Sequence, residues 1–596
     1  MSVLDRIERL RNVMEQQKVD CYIIPTDDYH HSEYVGDYFK FREYITGFTG
    51  SAGTAVFTKD KAGLWTDGRY FIQAEAQLQG SGITLYKSGE PGVPTIEEFL
   101  KSELKEGDVL GFDGRTVTYA QGKRYCHIAD ENGASLKYSL DFAQNIWKER
   151  PEMSMESVFS LADEYTGEKI GSKLERIREI MKENGCNAHV LSSLDDIAWL
   201  LNIRGNDIAY CPLVLSYAIV YNNSVELFAD IRKFSDDIIN LLAENQVKIY
   251  PYEDIYRKVS EMTSEDKLLL DSSIMNYSLY QSISKETVIV DKQNPEILMK
   301  SVKNETQAEN LRKAHLKDAV AHTKFMYWLK KNIGRVEITE LSASARLEGL
   351  RAEQEHFLGP SFGPISAYGE HGAIVHYSAD EKSNVPLKEG KLFMTDTGGH
   401  YLEGSTDITR TVALGEVGNI EKEHFTLVAR AMLRLANTVF LYGCSGANLD
   451  CIAREVFWKE GLNFNHGTGH GVGYLLNIHE GPINFRWKEG ERPAPALEEN
   501  MVITDEPGIY IEGSHGIRLE NELLVRKTVK NEYGQFMNFE ILTYVPIDLD
   551  AILPEKMSTE EKEMLNHYHK QVYEKVSPYL SEEERIWLKE YTRAVK

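Results

Sequence analysis

The sequence is poor in the features that mark secreted and membrane-bound proteins. It has six cysteines among 596 residues, and no two of them form a CxxC pair, which predicts reduced thiols in a cytosolic protein. The segment from Met1 to Asp20 has no apolar core of signal-peptide length. No other segment is apolar over the length needed to span a membrane. We therefore predict a cytoplasmic protein without a membrane partner.

Basic residues are scarce relative to acidic ones. The 67 lysines and arginines stand against 92 aspartates and glutamates, for a formal net charge of −25. Affinity for nucleic acid depends on lysine and arginine neutralising phosphates, so the charge excludes nucleic acid as the main partner. The chain is too long for one hydrophobic core, and its length predicts three domains, or at least two.

Two stretches of the N-terminal half resemble each other, about one domain apart. Residues 7–14 read IERLRNVM and residues 174–181 read LERIREIM, and each is the start of an amphipathic helix. A short apolar strand follows each helix, and an acidic pair, Asp27-Asp28 or Asp195-Asp196, follows each strand. This order predicts a duplicated α/β domain.

Linker-like sequence separates the predicted domains. The segment from Arg150 to Ser157 has no clear periodicity, and the segment from Asp291 to Glu296 is typical of a turn. A strong helical pattern then runs from Ala308 to Leu329, with Asn304 or Thr306 as its N-cap. We predict domains at residues 1–155, 156–300 and 301–550, and a helical C-terminal extension at residues 551–596.

The third domain repeats one pattern internally. The copies are LFMTDTGGHYLEGSTDITRTV, Leu392 to Val412, and MVITDEPGIYIEGSHGIRLENELLV, Met501 to Val525. Each is typical of two antiparallel strands joined by a turn. The acids at matching places are Asp396 and Asp407 in the first copy and Glu506 and Glu520 in the second. Four such carboxylates would repel one another unless cations were present, and two divalent ions would balance them and acidify a shared water.

A glycine-rich segment, NHGTGHGVG from Asn465 to Gly473, lies between the two copies. His466 and His470 are four residues apart, but the alternating glycines oppose a helix and the HExxH glutamate is missing. The GxGxGxG spacing also fails the dinucleotide fingerprint. We predict that the backbone comes close to the site and offers His470 as a metal ligand, with His376 and His479 completing a set of four histidines.

At these residues the sequence resembles the pita-bread metallopeptidases, specifically the three-domain aminopeptidase P (Xaa-Pro aminopeptidase) family. The resemblance covers the whole chain and implies an α/β (α+β) fold. That fold has two creatinase-like N-terminal α/β domains, a pita-bread catalytic domain and a C-terminal extension. Matched motif by motif, the family's metal ligands fall on Asp396, Asp407, His470, Glu506 and Glu520.

The resemblance also implies a reaction. Two divalent ions are expected, with manganese favoured by the oxygen-rich ligand set and cobalt or zinc as alternatives. A hydroxide bridging them would attack the scissile carbonyl, with Glu506 as general base. His376, His466 and His479 would position the substrate, and Arg518 would support a ligand carboxylate. The implied substrates are peptides with proline in the second position, and the implied assembly is a homodimer.

Several alternatives stay open. His466 fits a structural hydrogen bond within its loop as well as a substrate contact. A prolidase or methionine aminopeptidase on the same fold would carry similar motifs, and some pita-bread proteins are non-catalytic binding modules. The adjacent histidines His30 and His31 are expected at the surface.

Overall fold

The computed structural model describes residues 1–488 and 493–596. The chain divides into two compact units, Met1–Ser160 with Ile170–Glu296 and Leu161–Lys169 with Ile297–Lys596. The first unit contains both predicted N-terminal copies. The domain limits at residues 155, 300 and 550 stay predictions.

The first copy is a six-stranded sheet with helices. Its strands are β1 (Cys21–Pro25), β2 (Thr54–Thr58), β3 (Ala62–Thr66), β4 (Thr84–Lys87), β5 (Val109–Phe112) and β6 (Ser135–Lys137). Its helices are α1 (Val3–Gln16), α2 (Phe41–Thr46), α3 (Phe71–Gln77), α4 (Ile96–Glu103), α5 (Tyr119–Glu131) and α6 (Ala143–Ile146). The strand order is β4-β3-β2-β1-β5-β6, with β1 antiparallel to β2 and parallel to β5.

The second copy follows β7 (Phe159–Ser160) and α7 (Asp163–Thr166). Its strands are β8 (Ala188–Leu191), β9 (Ile203–Arg204), β10 (Tyr217–Tyr221), β11 (Val225–Phe228), β12 (Val247–Tyr250), β13 (Lys267–Leu270) and β14 (Val288–Asp291). Its helices are α8 (Ile170–Glu183), α9 (Leu194–Leu200), α10 (Asp236–Glu244), α11 (Asp254–Ser260) and α12 (Tyr277–Ser282). Helix α13 (Pro295–Ser301) comes next.

The predicted duplication is confirmed. The second sheet has the order β12-β11-β10-β8-β13-β14, and the directions of its neighbouring strands repeat those of the first sheet. Helices α1 and α8 start the two copies. In each helix the buried residues are spaced three and four positions apart in the sequence, as expected for one apolar face. These buried residues are Ile7, Leu10 and Met14 in α1 and Leu174, Ile177 and Met181 in α8.

The prediction that His30 and His31 lie at the surface is wrong, because His30 is only 4% exposed. Its Nδ1–H donates to the Ser192 carbonyl at 2.8 Å, and its Nε2 accepts from the Tyr252 hydroxyl at 2.6 Å. Burial lowers the pKa of His30 to about 4. His31 is half-buried, with Nδ1 2.7 Å from Oδ2 of Asp27. Ser192 and Tyr252 belong to the second copy, so the residues around His30 in the sequence do not reveal its burial.

The second unit contains a long helix, α14, many of whose residues are buried. Its helices are α14 (Glu305–Asn332), α15 (Glu340–Ala352), α16 (Asn419–Ala436), α17 (Gly446–Lys459), α18 (Thr559–Val576) and α19 (Glu582–Tyr591). Asn304, rather than Thr306, caps α14, with its side chain accepting from the backbone of Gln307. The predicted capping boxes at Ser558 and Ser581 start α18 and α19.

The strands of this unit form several sheets. They are β15 (Phe357–Pro360), β16 (Ile365–Tyr368), β17 (Lys391–Thr397), β18 (Gly399–Tyr401), β19 (Gly404–Ser405), β20 (Ile408–Leu414), β21 (Phe440–Leu441), β22 (Gly469–Val472), β23 (His479–Phe485), β24 (Val502–Asp505), β25 (Gly508–Ile511), β26 (His515–Arg518), β27 (Asn521–Asn531) and β28 (Gly534–Ile541). The largest sheet has the order β21-β28-β27-β24-β22-β23, and a second has the order β16-β17-β20.

One hydrophobic core joins these sheets to the C-terminal helices. It contains Val412 and Leu523 of the two repeated hairpins, and also Leu565, Val572 and Leu588 of α18 and α19. Residues 551–596 are therefore packed into the same core as the repeated hairpins. Among the helices of the described residues, none combines the length and apolarity needed to cross a bilayer.

Candidate metal centre

The two repeated hairpins form as predicted and bring four carboxylates together. Strand β17 pairs antiparallel with β20, and β24 pairs antiparallel with β27. Asp396 lies near the end of β17, Asp407 just before β20, Glu506 just after β24 and Glu520 just before β27. Asp396, Asp407 and Glu520 are buried, and Glu506 is half-buried.

The two hairpins are joined where the carboxylates meet. The Glu520 backbone N–H donates to the Thr409 carbonyl at 3.1 Å, and the Thr409 hydroxyl donates to Glu520 Oε2 at 2.8 Å. Two residues away, the Thr411 hydroxyl donates to the Arg518 carbonyl at 2.9 Å. These hydrogen bonds fix the backbone of the first hairpin against that of the second, and so fix the relative positions of the carboxylates in the two copies.

A buried guanidinium, that of Arg410, lies beneath this junction. Its Nη1 donates to the carbonyls of Thr409 and Glu520 at 2.8 and 2.5 Å. Its Nη2 donates to Asn521 Oδ1 at 2.8 Å and to the Tyr568 hydroxyl at 2.7 Å. Tyr568 belongs to α18, so Arg410 connects the C-terminal helices directly to the backbone of the carboxylate cluster.

The glycine-rich segment forms strand β22, which confirms that it is not a helix. A Cβ atom on Gly469 would lie 1.9 Å from the Thr504 carbonyl oxygen, and one on Gly471 would lie 2.2 Å from the Glu480 carbonyl oxygen. Neither clash can be relieved by moving a flexible side chain, because both contacts are with backbone. The glycines are therefore required by close packing against β23 and β24.

His470 stands between these two glycines and faces the carboxylates. Its Nδ1–H donates to the Gly471 carbonyl at 3.0 Å, so its Nε2 carries the lone pair. That Nε2 lies 3.5 Å from Asp407 Oδ2 and 4.0 Å from Glu506 Oε1. Ligand atoms of Asp407, His470 and Glu520 all lie within 4.8 Å of one another, close enough for one metal ion to contact all three.

Asp396 and Arg518 give a further test of whether cations fit. Arg518 donates to Asp396 Oδ2 from Nε at 3.1 Å and from Nη2 at 2.6 Å. The expected support of a carboxylate by Arg518 is thereby confirmed. The other oxygen, Asp396 Oδ1, is buried and has no hydrogen-bond partner among the described residues. A buried carboxylate oxygen in that state is suited to a cation.

The protonation of the cluster leads to the same conclusion. Burial first, and then repulsion from neighbouring carboxylates, raises the pKa of Asp407 and of Glu520 well above the usual range. Burial raises the pKa of Glu506 to about 7, although Arg518 opposes the rise. Without cations Asp407, Glu506 and Glu520 would hold protons near neutral pH, whereas two divalent cations would favour their ionised forms.

His466 uses both of its ring nitrogens within the protein. Its Nδ1–H donates to the Gly467 carbonyl at 2.7 Å, and its Nε2 accepts from the Tyr510 hydroxyl at 2.8 Å. The same hydroxyl accepts from Arg518 Nη1 at 2.6 Å. Burial and the charge of Arg518 lower the pKa of His466 to about 3. The structural reading of His466 is therefore the better supported of the two alternatives.

His376 and His479 lie at the exposed side of the cluster. The His479 ring packs edge-on against that of His470, with centroids 4.2 Å apart. His376 follows Val375, whose carbonyl accepts from Arg518 Nη2 at 3.4 Å. His479 therefore lies beside the predicted ligand His470, and His376 adjoins a residue that contacts Arg518. The individual roles of the predicted site residues stay predictions.

Three supporting residues were not predicted. Tyr510 links Arg518 to His466, Arg410 holds the two hairpins, and Glu522 Oε1 accepts the Asp407 backbone N–H at 2.6 Å. The one available signal concerns Tyr510, which matches Tyr401 in the repeated motif. Apart from the contact of Arg410 with the adjacent Thr409, the contacts given for the other two involve residues more than 100 positions away in the sequence, and no short motif marks them.

Models of known families match most of the chain. The model described as Creatinase/Prolidase N-terminal domain matches residues 6–137, and a second model of that description matches residues 149–307. Metallopeptidase family M24 matches residues 309–527, and the C-terminal region of peptidase M24 matches residues 535–595.

Curated relatives match along the whole length. The chain is 36% identical to Xaa-Pro aminopeptidase 1 of Dictyostelium discoideum, over 97% of this chain and 94% of that one. It is 34% identical to aminopeptidase P1 of Arabidopsis thaliana, over 99% of each.

Solved structures agree with these matches. The crystal structure of the X-prolyl aminopeptidase from Caenorhabditis elegans, described as a cytosolic enzyme with a dinuclear active site, has a TM-score of 0.93 and 33% identity over the full length of both chains. An Xaa-Pro dipeptidase from Bacillus anthracis, at 24% identity and a TM-score of 0.51 over 64% of this chain, shares the fold.

Proposed function

The chain belongs to metallopeptidase family M24, and we propose that it is a dinuclear aminopeptidase that removes the N-terminal residue from peptides with proline in the second position. The observation that carries this proposal is the group of ligand atoms from Asp407, His470 and Glu520 within 4.8 Å of one another. The carboxylates of Asp396 and Glu506 lie close enough to raise the pKa of this group's acids, and Asp396 Oδ1 is buried without a hydrogen-bond partner among the described residues. Relatives named Xaa-Pro aminopeptidase match the chain from end to end, including both N-terminal copies and the C-terminal helices.

The residues that would hold two divalent ions are Asp396, Asp407, His470, Glu506 and Glu520. When bound, the ions would supply Lewis acidity, polarising the scissile carbonyl and lowering the pKa of water. Five ligands with one imidazole favour manganese, and cobalt or zinc would also suit the site. The Asp396 carboxylate is oriented by Arg518, and the Glu520 carboxylate by the Thr409 hydroxyl.

The side chains around the centre have separate tasks in the reaction. Glu506 takes the proton from the attacking water, and its half-buried position beside the open side of the cluster supports this role. His479 and His376 donate hydrogen bonds to the substrate and to the developing oxyanion. His466 acts through Tyr510, since its own ring nitrogens are engaged. The X-Pro bond has no N–H, so the site works without that donor.

Assembly and location belong to the same proposal. We propose a homodimer, supported by the exposed tryptophans Trp458 and Trp487, whose rings meet edge-on with centroids 5.8 Å apart. Exposed aromatic surface of this kind is typical of protein interfaces. A cytosolic location is supported by the description of the C. elegans relative. Sedimentation velocity tests the assembly, and a monomer at all concentrations would refute it.

The assay for the activity compares Xaa-Pro-Xaa tripeptides with Xaa-Pro dipeptides. We expect cleavage of the tripeptides, loss of activity after exhaustive chelation and recovery with Mn²⁺. Cleavage of dipeptides alone would identify a prolidase instead. Full activity after verified removal of the metal would refute the dinuclear site, and binding of tripeptides without hydrolysis would indicate a non-catalytic module.

A further inference from the structure

Glu340 is a buried carboxylate away from the predicted metal ligands, and the mechanism above does not use it. It occupies the first turn of α15, and its side chain is 0% exposed. The N-cap is Thr339, so the carboxylate also lies where the helix dipole favours negative charge. Its backbone is held as well, because its N–H donates to the Val385 carbonyl at 3.2 Å and its carbonyl accepts from the Ser366 hydroxyl at 2.7 Å.

The Glu340 carboxylate collects hydrogen bonds from a single segment, residues 368–385. Oε1 accepts from the Tyr368 backbone N–H and from His371 Nδ1, both at 2.8 Å. Oε2 accepts from the Tyr377 hydroxyl at 2.9 Å and from the Val385 backbone N–H at 3.4 Å. These four donors lie on both sides of His376 in the sequence, so one carboxylate holds both arms of the segment that carries this histidine.

The opposite side of the segment lies against the hairpin of Arg518. The Val375 carbonyl accepts from Arg518 Nη2 at 3.4 Å. A Cβ on Gly516 would lie only 1.6 Å from the Gly372 carbonyl oxygen, so the two backbones are in close contact. Apart from the short 3₁₀ turn at Gly369–Ala373, residues 369–385 contain no helix or strand. Because this segment has little regular secondary structure, side-chain contacts such as those of Glu340 are important in holding the backbone around His376.

From these contacts we infer that Glu340 is a positioning residue for the peptidase reaction, acting through the segment that holds His376. An ionised carboxylate is acceptor-only, which lets it take all four donors at once. A glutamine in its place would turn an amide N–H₂ toward donors and leave buried groups unpaired, which is unfavourable. The required property of Glu340 is therefore that both of its carboxylate oxygens accept hydrogen bonds, rather than the size of its side chain.

This inference rests on the proposed function, since it needs His376 to contact the substrate. The substitutions Glu340→Gln and Tyr377→Phe test it, with Glu353→Gln, at the exposed end of the same helix, as the matched control. We expect Glu340→Gln to lower kcat/KM on a tripeptide by about 10- to 100-fold, and Tyr377→Phe, which removes one donor, by a few-fold. The control should match the wild type.

A double-mutant cycle separates positioning from a general loss of fold. If Glu340 acts through His376, then adding Glu340→Gln or Tyr377→Phe to His376→Ala should lower kcat/KM by less than about two-fold further. Effects that multiply, or a His376→Ala variant with normal kcat/KM, would overturn the inference. Tyr377→Phe keeps the test decisive if Glu340→Gln does not fold.

The affinity for Mn²⁺ gives an independent test of the positioning role of Glu340. The predicted ligands lie outside residues 368–385, so Glu340→Gln should bind Mn²⁺ as tightly as the wild type in a calorimetric titration. A large loss of Mn²⁺ affinity would overturn the positioning role. Failure of the proposed function would look different, because the wild-type protein itself would then not cleave Xaa-Pro-Xaa tripeptides.

Discussion

Replacing Arg518 by lysine keeps a positive charge beside Asp396 but removes the planar fork that makes several directed contacts at once. Arg518 donates twice to Asp396 Oδ2, at 3.1 and 2.6 Å, and once to the Tyr510 hydroxyl at 2.6 Å. A lysine ammonium cannot reproduce this fork. Hydrogen bonds to charged groups contribute about 1.5–3 kcal/mol each, so the loss of one net contact corresponds to about 10- to 100-fold.

We expect Arg518→Lys to weaken Mn²⁺ binding by about 10- to 100-fold, which is the usual effect of losing a residue that orients a ligand. Isothermal titration of the chelated protein measures this directly, and kcat/KM at limiting Mn²⁺ should fall in parallel. Excess Mn²⁺ should restore part of the activity. Arg585→Lys, in an exposed ion pair on α19, is the control and should change neither quantity.

Two results would refute the reasoning about Arg518. The first is an Mn²⁺ affinity and a kcat/KM within about two-fold of the wild type, which would mean that Asp396 needs no orienting partner. The second is a loss of activity with unchanged Mn²⁺ affinity that excess Mn²⁺ does not relieve. That outcome would move the role of Arg518 from the metal ligand to the substrate.

Three further outcomes are expected. Burial raises the pKa of Glu506 from 4.5 to about 7 in the metal-free protein, so the folded form holds a proton that the unfolded chain has lost, and stability falls as pH rises across that range. The rise in Tm on adding Mn²⁺ should therefore be larger near pH 7.5 than near pH 5.5, and the opposite trend in a scanning fluorimetry series would contradict this. Glu506→Gln should abolish tripeptide hydrolysis while its circular dichroism spectrum stays native. Glu512→Gln, exposed on the same hairpin, should be fully active. Appreciable turnover by the Glu506→Gln variant would show that Glu506 is not the general base. Tyr568→Phe removes the hydroxyl that accepts from Arg410 and should lower the free energy of unfolding by about 1–3 kcal/mol in urea titrations, with an unchanged value as the refuting result.

Much of the fold can be predicted from the sequence because two of its motifs are repeated. The repeated helix, strand and acidic pair predict the duplicated α/β arrangement, and the repeated hairpins predict which acids meet. A repeat is a local pattern, so equivalent residues in its two copies can be assigned without information about their tertiary contacts. Asn304, Ser558 and Ser581 could likewise be predicted as helix starts, because a cap and its partner are three residues apart.

The supporting contacts could not be predicted, for a physical reason. His30 is buried because residues 192 and 252 cover it, and Arg410 is held by a tyrosine 158 positions further along the chain. Such contacts depend on which elements become neighbours, and a single polar residue carries no periodic signal of its partner. The alternating glycines predict a backbone close to the site, and the structure adds a second reason for them, the close approach of neighbouring strands, which the sequence does not reveal.

The hydrogen bond between Arg410 and Tyr568 has a consequence for how this enzyme can be divided. A chain ending before α18 would lose the Tyr568 hydroxyl, leave the guanidinium of Arg410 short of an acceptor, and uncover the apolar side chains of Leu565 and Val572. The C-terminal helices therefore cannot be removed without exposing part of the core that they share with the repeated hairpins. The smallest autonomous peptidase in this chain has to extend through α18, and shortening from this end is expected to give aggregation rather than a smaller enzyme.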